Sequence, residues 1–305
     1  NLIINNYMGS VDIVGEKRND IDVDAKITIY STKKNMAQEY AKNISINTDK
    51  RGDNIKLEIP LEEERPPEIR GVRVDYVIRA PENIFLDIEN RYGELKVRNF
   101  QNGVDLSNKY KKTIVEDLSG DDIIINAKYG NLDLSNVSEG KIMEVNTAYN
   151  QASIENISRD MEIDSAYGSL KVNNISGKIK SDIKYGEVSF ENIGGINLDA
   201  KYTDLDLNKI NGDIKADMKY GEISVDNLRY NTEIDARYTE IDIELSEDLN
   251  NYELDCETEY GDISTNLDVE EEKNDHIKSL SYTSGNGDIK INLETEHADI
   301  KIDKD

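Results

Sequence analysis

Acidic and basic side chains stand at fixed distances from a recurring tyrosine in this chain, and Asp182 with Glu187 is one pair of carboxylates spaced as an acid and base on a polysaccharide would be. Catalysis needs one such pair tuned at one place, because two carboxyl groups must be held at different pKa values. Here the carboxylates return repeat after repeat, which argues for evenly spaced binding groups rather than a reaction centre. The groups singled out for binding are Lys184, Glu187, Lys201, Asp204, Lys219 and Glu222. No catalytic residue is assigned, and no cofactor is expected. Stacked acids can hold calcium weakly, but neither the EF-hand pattern nor the Gly-Gly-x-Gly-x-Asp nonapeptide is present. Cys256 is the one cysteine, and His276 and His297 lack the spacing of a ligand pair, so no metal site is expected.

Two further residue types recur. Tyr92, Tyr110, Tyr129, Tyr149, Tyr167, Tyr185, Tyr202, Tyr220, Tyr238, Tyr260 and Tyr282 mark the repeat, and seven residues beyond the marker stands Asn99, Asn136, Asn156, Asn174, Asn192 or Asn227. Sugar rings stack on aromatic faces, so the tyrosines offer a glycan platform in principle. Parity favours a structural role instead. Apolar residues fall six and four positions before the marker (Ile123 and Ile125, Ile196 and Leu198), in phase with it, which points the tyrosine inward as a buried stack. The asparagines read as an amide ladder that satisfies corner backbone groups.

These positions imply the elements that carry them. A period near 18 residues, as in Lys184-Tyr-Gly-Glu-Val-Ser-Phe190 and Lys219-Tyr-Gly-Glu-Ile-Ser-Val225, predicts an all-β parallel solenoid, right-handed, each coil holding two strands and two corners. Glycine after the marker (Gly93, Gly130, Gly168, Gly186, Gly221, Gly261) fits the first corner. The coils are expected over residues 84–305, about eleven of them, ending in an irregular C-terminal cap in which Asp299 to Asp303 form a polar closing strand. Residues 1–83 read as an N-terminal mixed β cap. It has strands around Leu2–Ile4, Val11–Val14, Ile21–Ile29, Ile44–Thr48 and Ile55–Ile59, and one helix near 32–43 with Ser31 or Thr32 as its N-cap. All four prolines (Pro60, Pro66, Pro67, Pro81) cluster at the join.

The formal net charge is −26, from 63 acidic and 37 basic residues, which disfavours a phosphate-backbone partner; no nucleic acid is expected. No run approaches the 18 apolar residues of a membrane helix, so the chain is not expected to span a membrane. It starts at Asn1 within a strand-like run, suggesting a piece trimmed from a longer precursor.

The opening Asn5-Asn-Tyr-Met-Gly-Ser-Val-Asp-Ile13, the segment Val74-Asp-Tyr-Val-Ile-Arg-Ala-Pro81 and the recurring Tyr-Gly-Glu-Ile-like coils together resemble a bacterial adhesin-like family of β-strand-repeat proteins of unknown function, akin to the auto-transporter adhesin head. The resemblance implies an exported protein of the cell envelope, periplasmic, outer-surface or secreted, and brings no catalytic residues with it. The expected function is a non-enzymatic surface solenoid binding glycans or surface proteins through its long faces. The alternatives are a polysaccharide-active β-helix enzyme and a purely structural spacer.

Overall fold

The computed structural model describes residues 1–59, 65–269 and 271–304. It is a parallel β-solenoid that divides into two compact units, Asn1–Val145 and Asn146–Asp305. The expected strand-breaking role of Pro60 falls outside the described residues.

In the first unit, each coil has two strands joined at the marker tyrosine. Strand β1 (Leu2–Asn6) and strand β2 (Val11–Glu16) already form such a coil, with Met8 in the register place of the marker Tyr92 and Tyr7 just before it. They pair in parallel with Leu86–Asn90 and Leu95–Phe100, Leu2 beside Leu86 and Val11 beside Leu95. The expected cap therefore supplies the first coil itself. Chain reversal closes the open side of that coil. Strand β3 (Asp22–Ser31) leads into helix α1 (Lys34–Asn43), and the hairpin of β4 (Asn47–Arg51) and β5 (Asn54–Glu58) follows, then β6 (Ile69–Pro81). β5 lies parallel to β1 with β4 antiparallel on its far edge, and β6 lies parallel to β2 with β3 antiparallel on its far edge. The helix buries Tyr40, and its N-cap is Lys33, without a side-chain cap. Ser31, expected in that role, instead accepts the Lys33 amide at 3.1 Å.

The second unit shows the repeat at its most regular. Met161–Ile175, Ile179–Ile193, Ile196–Ile210, Ile214–Leu228 and Thr232–Leu245 are each one long strand bent at its tyrosine, stacked in register with one shift between Val225 and Leu228. Inward apolar side chains such as Ile179, Val188 and Phe190 fill the interior. This burial is the main favourable term, at about 25 cal/mol per Å² of apolar surface removed from water.

Both corners use one device. The marker tyrosines from Tyr110 to Tyr260 and the corner asparagines hold left-handed backbone, for example φ 59° at Tyr185 and 57° at Asn192. One such residue inside a strand resets the alternation, so two consecutive side chains face out. This overturns the inward reading of the tyrosines: parity assumed extended backbone through the marker, and the positive φ turns Tyr185 outward while the next residue turns in. That inward place belongs to Gly186, Thr203, Gly221 and Thr239 in successive coils. A Cβ on Gly186 would lie 2.1 Å from the Gly168 carbonyl oxygen, so close backbone approach explains that glycine.

The C-terminal end departs from chain order. Ile289–Glu296 and Ile300–Lys304 pair directly with Thr232–Leu245, and the earlier segments Tyr252–Glu259 and Ile263–Thr265 pair on their other side. The last coil of the sequence is thus inserted before the penultimate one. Ile300 and Ile302 are fully buried, so the expected polar closing strand is an interior one. The closing strands are Ile277–Ser284 and Glu272–Asn274, both antiparallel. Tyr282 lies there opposite Leu254 and is not a marker.

Candidate functional site

The tyrosine corner is the surface feature that every coil contributes to. In the second unit the rings of Tyr149, Tyr167, Tyr185, Tyr202, Tyr220 and Tyr238 stack with centroids 4.8–5.0 Å apart and planes within 9° of parallel. The ladder then runs through His297, which is sandwiched at 4.8 Å between Tyr238 and Tyr260, and ends on His276. Both histidines of the chain are rungs. Their spacing hid this, because the inserted coil brings His297 next to Tyr238 out of sequence order. In the first unit Tyr92, Tyr110 and Tyr129 stack likewise, and Tyr7 closes on Tyr92 edge-on at 71°.

The rings are about half exposed, 43% for Tyr185 and 50% for Tyr202. Stacking covers the faces of interior rungs, so they present edges and hydroxyls to solvent, not faces on which a sugar could stack.

Bands of opposite sign flank the second unit's ladder. On one side Lys184, Lys201, Lys219 and Arg237 lie in register, and on the other Glu187, Asp204, Glu222 and Glu240 do. The basic band is already engaged. Lys184 pairs with Asp182 at 2.8 Å, and that hydrogen bond, with Asp164 and Asp199 nearby, raises its pKa above an ordinary lysine's. The Lys219 ammonium lies 5.3 Å from the Tyr220 ring centre, and Arg237 pairs with Glu296 while its guanidinium sits over Tyr238. Among the described residues, Lys201 has no ion pair. Nor has any of the four acids in the opposite band.

Two shallow grooves run beside this acidic band. One, of about 480 Å³, is lined by Glu187, Asp204 and Glu222 with Lys171, Ser189, Asp206 and Ser224. The other, of about 530 Å³, lies between the ladder at Tyr238, His297 and Tyr260 and the acids Glu222, Glu240 and Asp299. Of the six binding residues expected from sequence, Glu187, Asp204 and Glu222 line the first groove, and Lys184, Lys201 and Lys219 lie in register in the basic band across the ladder. No group of three or more His, Cys, Asp or Glu among the described residues is placed to hold a metal.

The asparagine ladder lies at the other corner. Asn174 donates to Asn156 at 3.2 Å, Asn192 to Asn174 at 2.7 Å and Asn211 to Asn192 at 2.8 Å, while in the first unit Asn136 donates to Asp117. The amides bond to one another, and a second asparagine ladder, which the sequence reading missed, reaches the backbone of the tyrosine corner. Buried Asn6, Asn90 and Asn108 pass hydrogen bonds along the first unit's interior and donate to the Gly9, Gly93 and Lys111 carbonyls. An asparagine two residues before the marker, where later coils have Ala127 or Ala200, was its signal.

The fold and the ladder define a repeat protein of the β-solenoid class. The chain belongs to the Toastrack DUF4097 family, whose model matches residues 2–303. That is a repeat family of uncharacterised function, and the match does not single out the auto-transporter head. No curated protein matches the chain. Among solved structures, a "putative cell adhesion protein" from Clostridium sporogenes ATCC 15579 is similar at 12% identity, covering 100% of this chain and 92% of that one, with a TM-score of 0.20. No helix among the described residues is long and apolar enough to cross a membrane.

Proposed function

We propose that the protein is a non-catalytic, adhesin-like solenoid of the cell envelope or surface that binds extended glycan or protein partners along the tyrosine corner of its second unit. The observation that carries this reading is the acidic band Glu187, Asp204, Glu222 and Glu240, in register, without ion pairs among the described residues, and bordered by grooves. Like charges stacked on adjacent strands are unfavourable, so a partner that donates hydrogen bonds or brings positive charge gains what the isolated fold forgoes. With the interior ring faces covered, recognition runs through tyrosine hydroxyls, the carboxylates and the Lys184, Lys201 and Lys219 ammonium groups. The same surroundings recur in each coil, which suits an extended partner and gives no one carboxylate pair the separate tuning that hydrolysis requires.

The test is a binding screen of the purified chain against immobilised envelope and host glycans and surface proteins, with bound glycans sized before and after. Saturable binding that falls roughly tenfold or more in the Glu187→Lys, Asp204→Lys, Glu222→Lys variant is expected, since several aligned contacts are reversed. Shortened glycan would replace this reading with an enzyme, and no binding at all would leave a spacer.

A further inference from the structure

Strand β3 (Asp22–Ser31) pairs on one side only. Its partner is β6, antiparallel, with Val23 beside Ile78, Ala25 beside Tyr76 and Ile27 beside Val74. Among the described residues β6 is the one strand in ladder with β3, which leaves alternate amide and carbonyl groups over ten residues without a ladder partner. The side chains are unfinished too. Val74, Tyr76 and Ile78 are closed off from water, while Val23, Ala25, Ile27 and Ile29, on the same inward face, are only half-buried. On the outward face Asp24 and Lys26 are exposed and two residues apart. Neither makes an ion pair among the described residues, although Asp22 pairs with Arg79.

The other outer strand at this end, β4, contrasts with it. It has five residues, all exposed, and its Asp49 and Arg51 pair with each other at 2.8 Å. Short length and internally satisfied charge are how natural sheets blunt an edge. β3 is twice as long, carries β-branched side chains on its inward face and leaves its two opposite charges apart.

We propose that β3 is a dimerisation edge, on which a second copy of this chain adds its own β3 antiparallel about a two-fold axis at Ala25. A two-fold interface must be self-complementary, each residue meeting its partner's counterpart in both directions. With Ala25 opposite its own copy, Asp24 meets the partner's Lys26 and Lys26 the partner's Asp24, Val23 meets Ile27, and Asp22 meets Thr28. The neighbouring registers fail on charge. Centring the axis on Lys26 sets lysine against lysine, and centring it on Asp24 sets aspartate against aspartate with Lys26 opposite an Asp22 that Arg79 already engages. A one-residue slip would oppose inward apolar residues to outward polar ones. One register therefore satisfies charge, apolar pairing and facing together, and it continues the sheet from one molecule into the next.

The test is sedimentation equilibrium of the full chain, over a concentration series reaching the highest soluble concentration, with thermal melts to confirm that each variant is folded. The parent is expected to dimerise. Asp24→Lys and Lys26→Asp should each weaken association by roughly tenfold or more, because two attractive cross-strand pairs become two repulsive ones. The double variant Asp24→Lys with Lys26→Asp should recover it, and the two single variants mixed should form a heterodimer that neither forms alone. A monomeric parent overturns the proposal. So does an undiminished dimer in either single variant, or a double variant that stays monomeric.

Discussion

A tyrosine in left-handed backbone is an expensive choice, since non-glycine residues there cost on the order of 1–2 kcal/mol. The ladder offsets that cost. Tyr185 stacks on Tyr167 at 4.8 Å and on Tyr202 at 4.9 Å, and each aromatic pair is worth roughly 0.5–1.5 kcal/mol. Tyr185→Ala should therefore lower stability in chemical denaturation by about 1–3 kcal/mol, the two lost stacks. Tyr185→Gly should be at least as stable as Tyr185→Ala, because glycine alone enters this conformation freely. In an ordinary strand the order is the reverse, so a glycine variant clearly weaker than alanine would contradict the left-handed corner.

At the scale of the element, the coil is the unit of exchange. Lys184 and Lys201 are register partners, and so are Ile183 and Ala200, so this coil is seventeen residues long. Excising residues 184–200 joins Ile183 to Lys201, the register equivalent of its own neighbour Lys184, and preserves every inward side chain downstream. That variant should fold, melt cooperatively and keep the parent's circular dichroism per residue. Removing nine residues from Lys184 instead leaves half a coil and exposes apolar groups. It should express poorly or lack a melting transition. Equal behaviour of the two deletions would mean that the coils are not interchangeable.

For the molecule as a whole, 63 acidic against 37 basic residues make self-repulsion the term that solution conditions move most easily. Melting temperature should rise with sodium chloride from about 0.01 to 0.5 M, as the screening length contracts from about 30 Å to a few ångströms. Particular groups report the same tension. Burial, then the nearby Asp206 and Asp242, raise the pKa of Asp226, and burial, then Asp87 and Glu144, raise that of Asp105. A carboxyl group whose pKa is higher in the folded than in the unfolded state costs stability while ionised, and that cost vanishes as pH falls through the folded value. Asp226→Asn should therefore melt higher than the parent at pH 7, and its advantage should shrink as pH approaches about 4, near the unfolded carboxyl value. An Asp226→Asn variant that melts lower at pH 7 would refute this assignment.

The sequence by itself determined the parallel solenoid, its period and the positions that recur at its corners, because a repeat must bury the same side of every coil and so writes the same pattern each time. It also placed the charged groups of the corner strip, whose distance from the tyrosine is constant. Tertiary structure alone decided what breaks or crosses that pattern. The outward turn of Tyr185 depends on a backbone angle, and strand parity is blind to it. The capture of His276 and His297 by the ladder depends on the insertion of Ile289–Glu296 between Thr232–Leu245 and Tyr252–Glu259, a long-range pairing that no local spacing encodes. The membership of Leu2–Asn6 and Val11–Glu16 in the first coil has the same origin, since their partners lie some eighty residues along the chain and only packing brings them together.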